Sequence, residues 1–369
     1  MGAMIVKEFL ELRRDRRTLA MLVLLPIMLL IVFGYAARFD VNSIPTLAAG
    51  PRATTVAATL KSPFTVKAVV PSDGPSQIKA AIRNGTYDVA VYATRAGTRF
   101  YINGADLFVA QTAAASLGRV STPLASLKTF LGTLPPAVRP RLPAAPTVDV
   151  LYNPGLKTAV VMVPAIAGII LVFIGTLIAS LGVVRERQAG TLAQLAVMPL
   201  SPWDVLVGKI APYFLVATVD MGIVLGLGMW LFAVPMRGSW AGLIVGSLLF
   251  LFVTLSIGVL ISSVSQNQGQ AMQLSMMTTL PQVLLSGFIF PVASMAPGVR
   301  WISNILPLTY FAEISRGIML QGTPVDHLLR PFLSLAGLGT ITVTLAILRF
   351  HALLHPVRSR RRPARAGTS

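Results

Sequence analysis

The sequence predicts a polytopic α-helical membrane protein, with six transmembrane helices and a small extracytoplasmic α/β domain between the first and second. Three observations predict it. Of the 369 residues, 54% are hydrophobic and only 12% charged, where a soluble domain carries roughly 25% charged residues. Six stretches, 18–37, 158–184, 210–234, 240–264, 271–292 and 328–350, are apolar over the length of about 20 residues that a helix needs to cross a bilayer. Between the first two, residues 38–156 alternate strand and helix patterns over a length sufficient for a domain with its own core.

At the N-terminus, Ile5, Phe9 and Leu12, with Val6 and Leu10, fall on one helical stripe, away from Lys7, Glu8, Glu11 and Arg14. This pattern suits a helix lying in the membrane interface, with a plain cytoplasmic extension of the first span as the alternative. The first span has a rival reading as the core of a signal peptide, because Gly34-Tyr35-Ala36 imitates a small-x-small cleavage site. Its apolar core is longer than the usual 7–15 residues, and Glu8, Glu11 and Asp15 precede it, which favours a retained anchor.

In residues 38–156, Ile44–Ala49, Phe64–Val70, 87–93 and 99–102 have strand character. A helix is expected over 76–84, with Pro75 at its start and Gly85 at its end, and another over 106–118, with Asp106 as its N-cap. Pro135, Pro136, Pro140, Pro143 and Pro146 then mark an extended return to the membrane. The acids of this region show no metal spacing, and His327, His351 and His355 all lie outside it. A structural collar is the simplest role for the region, and a binding or gating surface the alternative.

Lys and Arg set the orientation. The N-terminal tail carries Lys7, Arg13, Arg14, Arg16 and Arg17, and the C-terminal tail Arg349, Arg358, Arg360, Arg361, Arg362 and Arg365. The loop after the second span adds Arg185, Arg187 and Lys209. Both termini are therefore expected in the cytoplasm, with the basic tails against anionic lipid headgroups. The net charge of +18 invites a nucleic-acid partner, but these residues are spread along the chain and form no compact basic domain, so nucleic acid is not expected. The absence of cysteine excludes disulfides and thiolate metal sites, and no metal site is expected.

Residues 185–201 are the most unusual connection. Arg185-Glu186-Arg187 ends the second span, Gly190 permits a turn, and Thr191, Leu192, Gln194, Leu195 and Ala196 lead to Pro199, which stops a short helix. Ser201-Pro202 suits the cap and first position of the next helix. A short rigid helix between two breaks at the surface transmits a push to two spans at once; a solvated loop with snorkelling arginines is the plainer alternative. The fifth span carries Gln273, Ser275, Thr278, Thr279, Gln282 and Ser286 among Met272, Met276 and Met277. Polar groups on a helix in lipid face protein or a cavity, and methionine suits varied apolar ligands. Met272, Met276, Thr279, Gln282 and Ser286 are therefore the expected substrate path. After it, Phe288, Phe290 and Pro291, with Glu313 and Arg316 on a short re-entrant helix over 310–319, form either an outer gate or a structural plug. Glu313 and Arg316, three residues apart, are placed to pair. Asp220 is the one charged side chain in the interior of an expected span, Arg330 and Arg349 standing at the ends of the last.

Two runs resemble a known family. Arg185-Glu186-Arg187-x-x-Gly190-Thr191-Leu192-x-Gln194-Leu195-x-x-x-Pro199-Leu200 resembles the coupling segment of type-2 ABC exporter permeases. Leu285-Ser286-Gly287-Phe288-Ile289-Phe290-Pro291, followed by Met295-Ala296-Pro297, by Ile305-Leu306-Pro307-Leu308-Thr309-Tyr310-Phe311 and by Arg316-Gly317, is similar to a second signature of that family. The long segment between the first two spans fits the branch with a large extracytoplasmic loop. Ala189 departs from the pattern, which often has an acid there. The resemblance implies a bacterial cytoplasmic (inner) membrane protein that moves an amphipathic drug or lipid outward. It also implies two copies of a separate ABC ATPase docked on Arg185–Ser201, and a second permease subunit, identical or homologous.

This chain is expected to bind no cofactor and to hydrolyse no ATP; ATP and Mg belong to the partner. The phosphate-binding loop G-x-x-x-x-G-K-[ST] is missing: Gly208-Lys209 is followed by Ile210, and Trp203 stands in place of the first glycine. An ion-coupled secondary transporter, the alternative from another class, calls for inverted repeats and intramembrane charges; the chain shows no repeat and offers Asp220 alone. A membrane enzyme calls for clustered catalytic side chains, and none cluster.

Overall fold

In the computed structural model, residues 43–118, 146–190, 202–289, 292 and 295–354 are described. The interfacial helix, the first span and the basic C-terminal tail expected from the sequence lie outside them.

A five-stranded mixed sheet is built first, from β1 (Ile44–Ala49), β2 (Phe64–Val70), β3 (Val89–Ala93), β4 (Thr98–Asn103) and β5 (Thr147–Leu151). Their order is β2-β1-β3-β4-β5, and only the β3–β4 pair is antiparallel. Helix α1 (Ala53–Thr59) follows β1, α2 (Pro75–Arg83) follows β2, and α3 (Leu107–Gly118) follows β4. Side chains alternate across a sheet. Val89, Val91, Phe100 and Ile102 therefore meet Val109, Ala110 and Ala113 of α3 on one face. Ala90, Tyr101, Leu47 and Ala49 meet Ile78 and Ile82 of α2 on the other. The Asp106 carboxylate accepts from Val109 N (3.2 Å) and caps α3, as its position predicts. Two elements escape the sequence pattern. The Ala/Thr-rich α1 has no acid in its first turn, and β5 hides its alternation directly behind a run of prolines.

The domain is joined to the bundle without slack. Asn153, 4% exposed, donates from Nδ2 to Lys157 O (3.1 Å) and accepts at Oδ1 from Lys157 N (3.0 Å). These bonds fold the six residues after β5 into the start of α4 (Thr158–Ala189), which at 1.5 Å per residue is roughly 48 Å long. Helices α5 (Pro202–Phe232), α6 (Trp240–Val264) and α7 (Gln268–Leu285) follow, then α8 (Pro307–Arg316) and α9 (Leu329–Leu354). Strand β5 fixes the start of α4 at the domain end. The alternation of directions then puts residues 185–190 and the end of α9 at the far end of the bundle.

Among the described residues four helices are long and apolar enough to cross a membrane: Thr158–Ala189, Ile210–Phe232, Trp240–Val264 and Val325–Arg349. Helix α7 is not one of them, because its 18 residues include too many polar ones. It also ends seven residues before the expected 292, because Ser286 closes it and Gly287 takes a left-handed backbone (φ +83°) that ends a helix. Leu215, Val219, Ile223, Leu227 and Trp230 on α5, and Leu333, Ile341, Leu345 and Leu348 on α9, are exposed apolar side chains of the kind a bilayer accommodates.

Small residues set the helix spacing inside. A Cβ on Gly258 of α6 would lie 2.6 Å from Ala179 Cβ and 2.8 Å from Thr176 O of α4. Phe250 of α6 stacks on Phe311 of α8 with centroids 4.3 Å apart and planes 13° from parallel. Gly168 of α4 admits that stack, since a Cβ there would come within 2.7 Å of Phe311 Cδ1. Gly258→Ala is expected to lower the thermal midpoint of the detergent-solubilised protein by several degrees, because overpacking costs about 1–3 kcal/mol and the nearest atoms include backbone. Gly337→Ala on α9, with nothing within 4 Å of its added Cβ, is the control and should leave the midpoint unchanged or slightly raised. Equal melting of G258A and wild type would show that the α4–α6 spacing is not set here.

Candidate functional site

At the far end of the bundle, α4 closes on the sequence run 185–190. Gly190 takes the left-handed backbone (φ +75°) that releases the chain from the helix, the turn its sequence position calls for. Arg187 does more than snorkel. Its Nη1 donates to Ser265 O and its Nη2 to Ser263 O (3.2 Å), so one guanidinium holds the last carbonyls of α6. A cation is well placed at the negative end of a helix. Gln268 Nε2 of α7 donates to Gln188 Oε1 (2.8 Å). The end of α4 is thereby fixed to α6 and α7 just before the connection to α5 begins. Arg185 is exposed and Glu186 half-buried. Thr191, Leu192, Gln194, Leu195 and Pro199 lie outside the described residues.

Higher up the same seam, Val184 N donates to Ser262 Oγ (3.1 Å), and Ser275 Oγ to Ser180 Oγ (2.9 Å). The expected path residues of α7 divide here. Thr279, Gln282 and Ser286 are 3%, 1% and 2% exposed, buried against this chain's own helices, while Met276 is half-buried and Met272 exposed. Three of the five positions thus make up a polar stripe inside the protomer, with the methionines at its edge. The stripe is incompletely satisfied, since Gln282 Oε1 and Ser286 Oγ have no hydrogen-bond partner. Asp220 sits within α5, half-buried.

At the domain end, Phe288 is buried with Ala165 and Ala312; Phe290 and Pro291 lie outside the described residues. Helix α8 runs into one wide helical turn, Gly317–Gln321, before the left-handed Gly322. Arg316, three residues after Glu313 and placed to pair with it, lends that carboxyl its charge but forms its ion pair elsewhere. It reaches Asp106 of the domain at 3.8 Å, because Asp106 at the cap of α3 is brought down onto α8. Gln321 Nε2 donates to Asn103 Oδ1 (3.2 Å), and Thr323 Oγ1 to Arg83 O (2.6 Å). Arg237, in the α5–α6 loop, donates to Leu320 O (3.0 Å) and lies 5.7 Å from the Tyr152 ring centroid. The domain therefore rests on the segment carrying the second sequence signature. Asp88 and Asp106, treated as ordinary domain acids in the sequence, face this junction, and only the fold brings them to it. A cavity of about 300 Å³ opens there, lined by both sides. Asp88 has its carboxyl pushed up to about 6, first by burial and then by the Asp106 carboxylate, against the opposing hydrogen bond from Asn103 and the charge of Arg316.

Residues 16–348 match the family described as ABC-2 family transporter protein. The chain is 34% identical to the probable multidrug ABC transporter permease YbhR of Escherichia coli (strain K12) over 175 residues, 47% of this chain and 48% of that protein. The matched stretch spans about half the length of that relative. It is 25% identical to the probable multidrug ABC transporter permease YbhS of the same organism over 351 residues, 87% of this chain and 88% of that protein. It is also 28% identical to ABC transporter G family member 20 of Dictyostelium discoideum over 181 residues, 49% of this chain and 25% of that one.

The raised Asp88 carboxyl makes a pH-dependent expectation. Its folded value near 6 lies above the ordinary 3.8, so its contribution to stability is complete below about pH 4 and is lost as the pH rises through 6. Asp88→Asn removes the disfavoured charge. It should raise the melting temperature at pH 8 by roughly 2–4 °C and leave it unchanged at pH 4. A gain of equal size at both pH values, or a loss at pH 8, would contradict the cause assigned.

Proposed function

The chain belongs to the ABC-2 family of transporter proteins, and we propose that it is the membrane permease subunit of an ATP-driven exporter. It is a helical membrane protein. In this reading the span over 18–37 and helix α7 complete six crossings. Both termini and residues 185–201 face the cytoplasm, where the basic residues lie, and the α/β domain faces outward. A separate ATPase, two copies per complex, docks on the Leu192–Leu195 face, and a second permease subunit completes the membrane part. YbhR and YbhS are named as probable multidrug permeases. With the methionines edging α7, this supports an amphipathic drug or lipid as cargo.

One observation carries the reading. Helix α4 is continuous from the domain to Gly190, and Arg187 and Gln188 fix its last turn to α6 and α7. A force applied to residues 185–201 is therefore delivered to three helices together. Without those bonds the segment would move alone as a surface loop.

Co-purification with a co-expressed ABC ATPase tests the docking. Leu192→Asp and Leu195→Asp together should abolish copurification or the stimulated ATPase activity; a fully active complex would end the proposal. Arg187→Gln is expected to leave copurification intact and to reduce cargo-stimulated ATPase activity about tenfold. A charged hydrogen bond contributes roughly 1.5–3 kcal/mol, and tenfold is 1.4 kcal/mol. Unchanged stimulation would show that force does not pass through that guanidinium.

A further inference from the structure

The cavity between the domain and the outer end of the bundle has a composition of its own. Asp88 and Asp106 line it from the domain, and Glu313 and Arg316 from α8. Three carboxylates thus share the wall with one guanidinium, and Arg316 is engaged with Asp106 at 3.8 Å; the charge of Arg330, off the wall, also acts on Glu313. The balance is acidic, in a chain of net charge +18. An acidic cluster alone is often a solvated surface, but here a second feature points to an occupant. Ser286, at the end of α7, is 2% exposed, lines the cavity, and its Oγ has no hydrogen-bond partner; Thr309 Oγ1, also on the wall, has none. A buried hydroxyl left unpaired costs free energy that a bound group recovers. Val292 and Ala312 add an apolar edge. A volume of about 300 Å³ is the lower end of the range for small-molecule sites.

We propose that this cavity receives the cationic group of an amphipathic molecule, a protonated amine. Asp88 and Glu313 supply the counter-charge, the Ser286 hydroxyl accepts from an N–H, and the apolar edge meets the first carbons of the tail. The inference rests on the exporter reading for its biological use and names the cargo class: cationic amphiphiles, released past the domain. Ser286 closes the stripe that begins at Ser275 on α7, so the site lies at the outer end of the expected path. An ammonium reaches it from two sources, an exported amine or a lipid headgroup.

The test uses the full-length chain in nanodiscs of phosphatidylglycerol, with radiolabelled dodecylammonium as the probe. Wild type should bind it saturably, with Asp88→Asn and Glu313→Gln each weakening binding severalfold and the double variant at least tenfold. Dodecyl sulfate, with the same tail and the opposite charge, should not compete. Glu313 is exposed on α8, so Glu313→Gln remains informative if Asp88→Asn does not fold. Repeating the titration with phosphatidylethanolamine in the disc separates the sources. Weaker probe binding there identifies lipid headgroups as occupants, and unchanged binding identifies a free amphiphile. Equal binding by wild type and the double variant, or competition by dodecyl sulfate, would overturn the proposal. Copurification with the ATPase is scored separately, so loss of the exporter reading and loss of the cation site give different results.

Discussion

The close approach of α6 to α4 at Gly258 is the contact on which the rest of the bundle depends. In lipid, apolar side chains gain nothing by meeting one another in place of acyl chains, so helix association relies on contact area and on hydrogen bonds. Gly258 against Thr176 and Ala179 supplies that contact. With the backbones this near, short side chains reach across: Ser262 meets Val184, and Arg187 reaches the carbonyls of Ser263 and Ser265. A wider spacing would strand each of these groups. The same spacing leaves room for Phe311 to stack on Phe250 above Gly168, which seats α8 on α4 and α6 together.

The bundle also shows how a membrane helix carries many hydroxyls without penalty. Thr254, Ser256, Ser265 and Thr278 each donate to the carbonyl four residues back. Their polarity is satisfied within their own helices. The partnerless Oε1 of Gln282 and Oγ of Ser286 stand out against that background. They sit on the upper part of α7, toward the domain, whereas the lower part is stitched to α4 through Ser275 and Gln268. One helix is thus tied at the end facing the connection 185–201 and polar but unsatisfied at the other.

Much of the architecture was legible because hydropathy is a local property. The spans over 158–184 and 240–264, strands β1 and β2, the turn at Gly190 and the cap at Asp106 all follow from residues close in sequence. The signals that failed were those that need a distant partner. Helix α7 was placed too long because apolarity continues past Leu285, whereas Gly287 decides the end through its left-handed backbone. Arg316 was matched with Glu313, its neighbour on the helix, but its partner Asp106 lies 210 positions earlier and arrives only when the domain docks. Strand β5 pairs in parallel with β4 across a long excursion, and no local pattern announces such a pairing. The polar residues of α7 have to face protein or a cavity on sequence grounds alone; that Thr279, Gln282 and Ser286 are buried among this chain's own helices needs the bundle to be known.

Asp106 shows why the domain and the bundle act as one body. Its carboxylate caps α3 through Val109 N and also meets Arg316 of α8. Lifting the domain from α8 therefore exposes a charge on each side, and it breaks the bonds from Gln321 to Asn103 and from Thr323 to Arg83 in the same movement. Each of these contacts is modest alone, but they are short and polar and lie within one junction, so they yield together. On the other side of that junction, α4 leaves β5 through the doubly bonded Asn153–Lys157 turn, so a tilt of α4 turns the sheet. In the exporter reading, a displacement at Gly190 reaches the cavity by two routes: along α4 into the sheet that carries Asp88, and through α6 into α8, which carries Glu313. The walls of the cavity then shift relative to each other while each wall stays rigid, which is the condition for a site that binds in one state and releases in another.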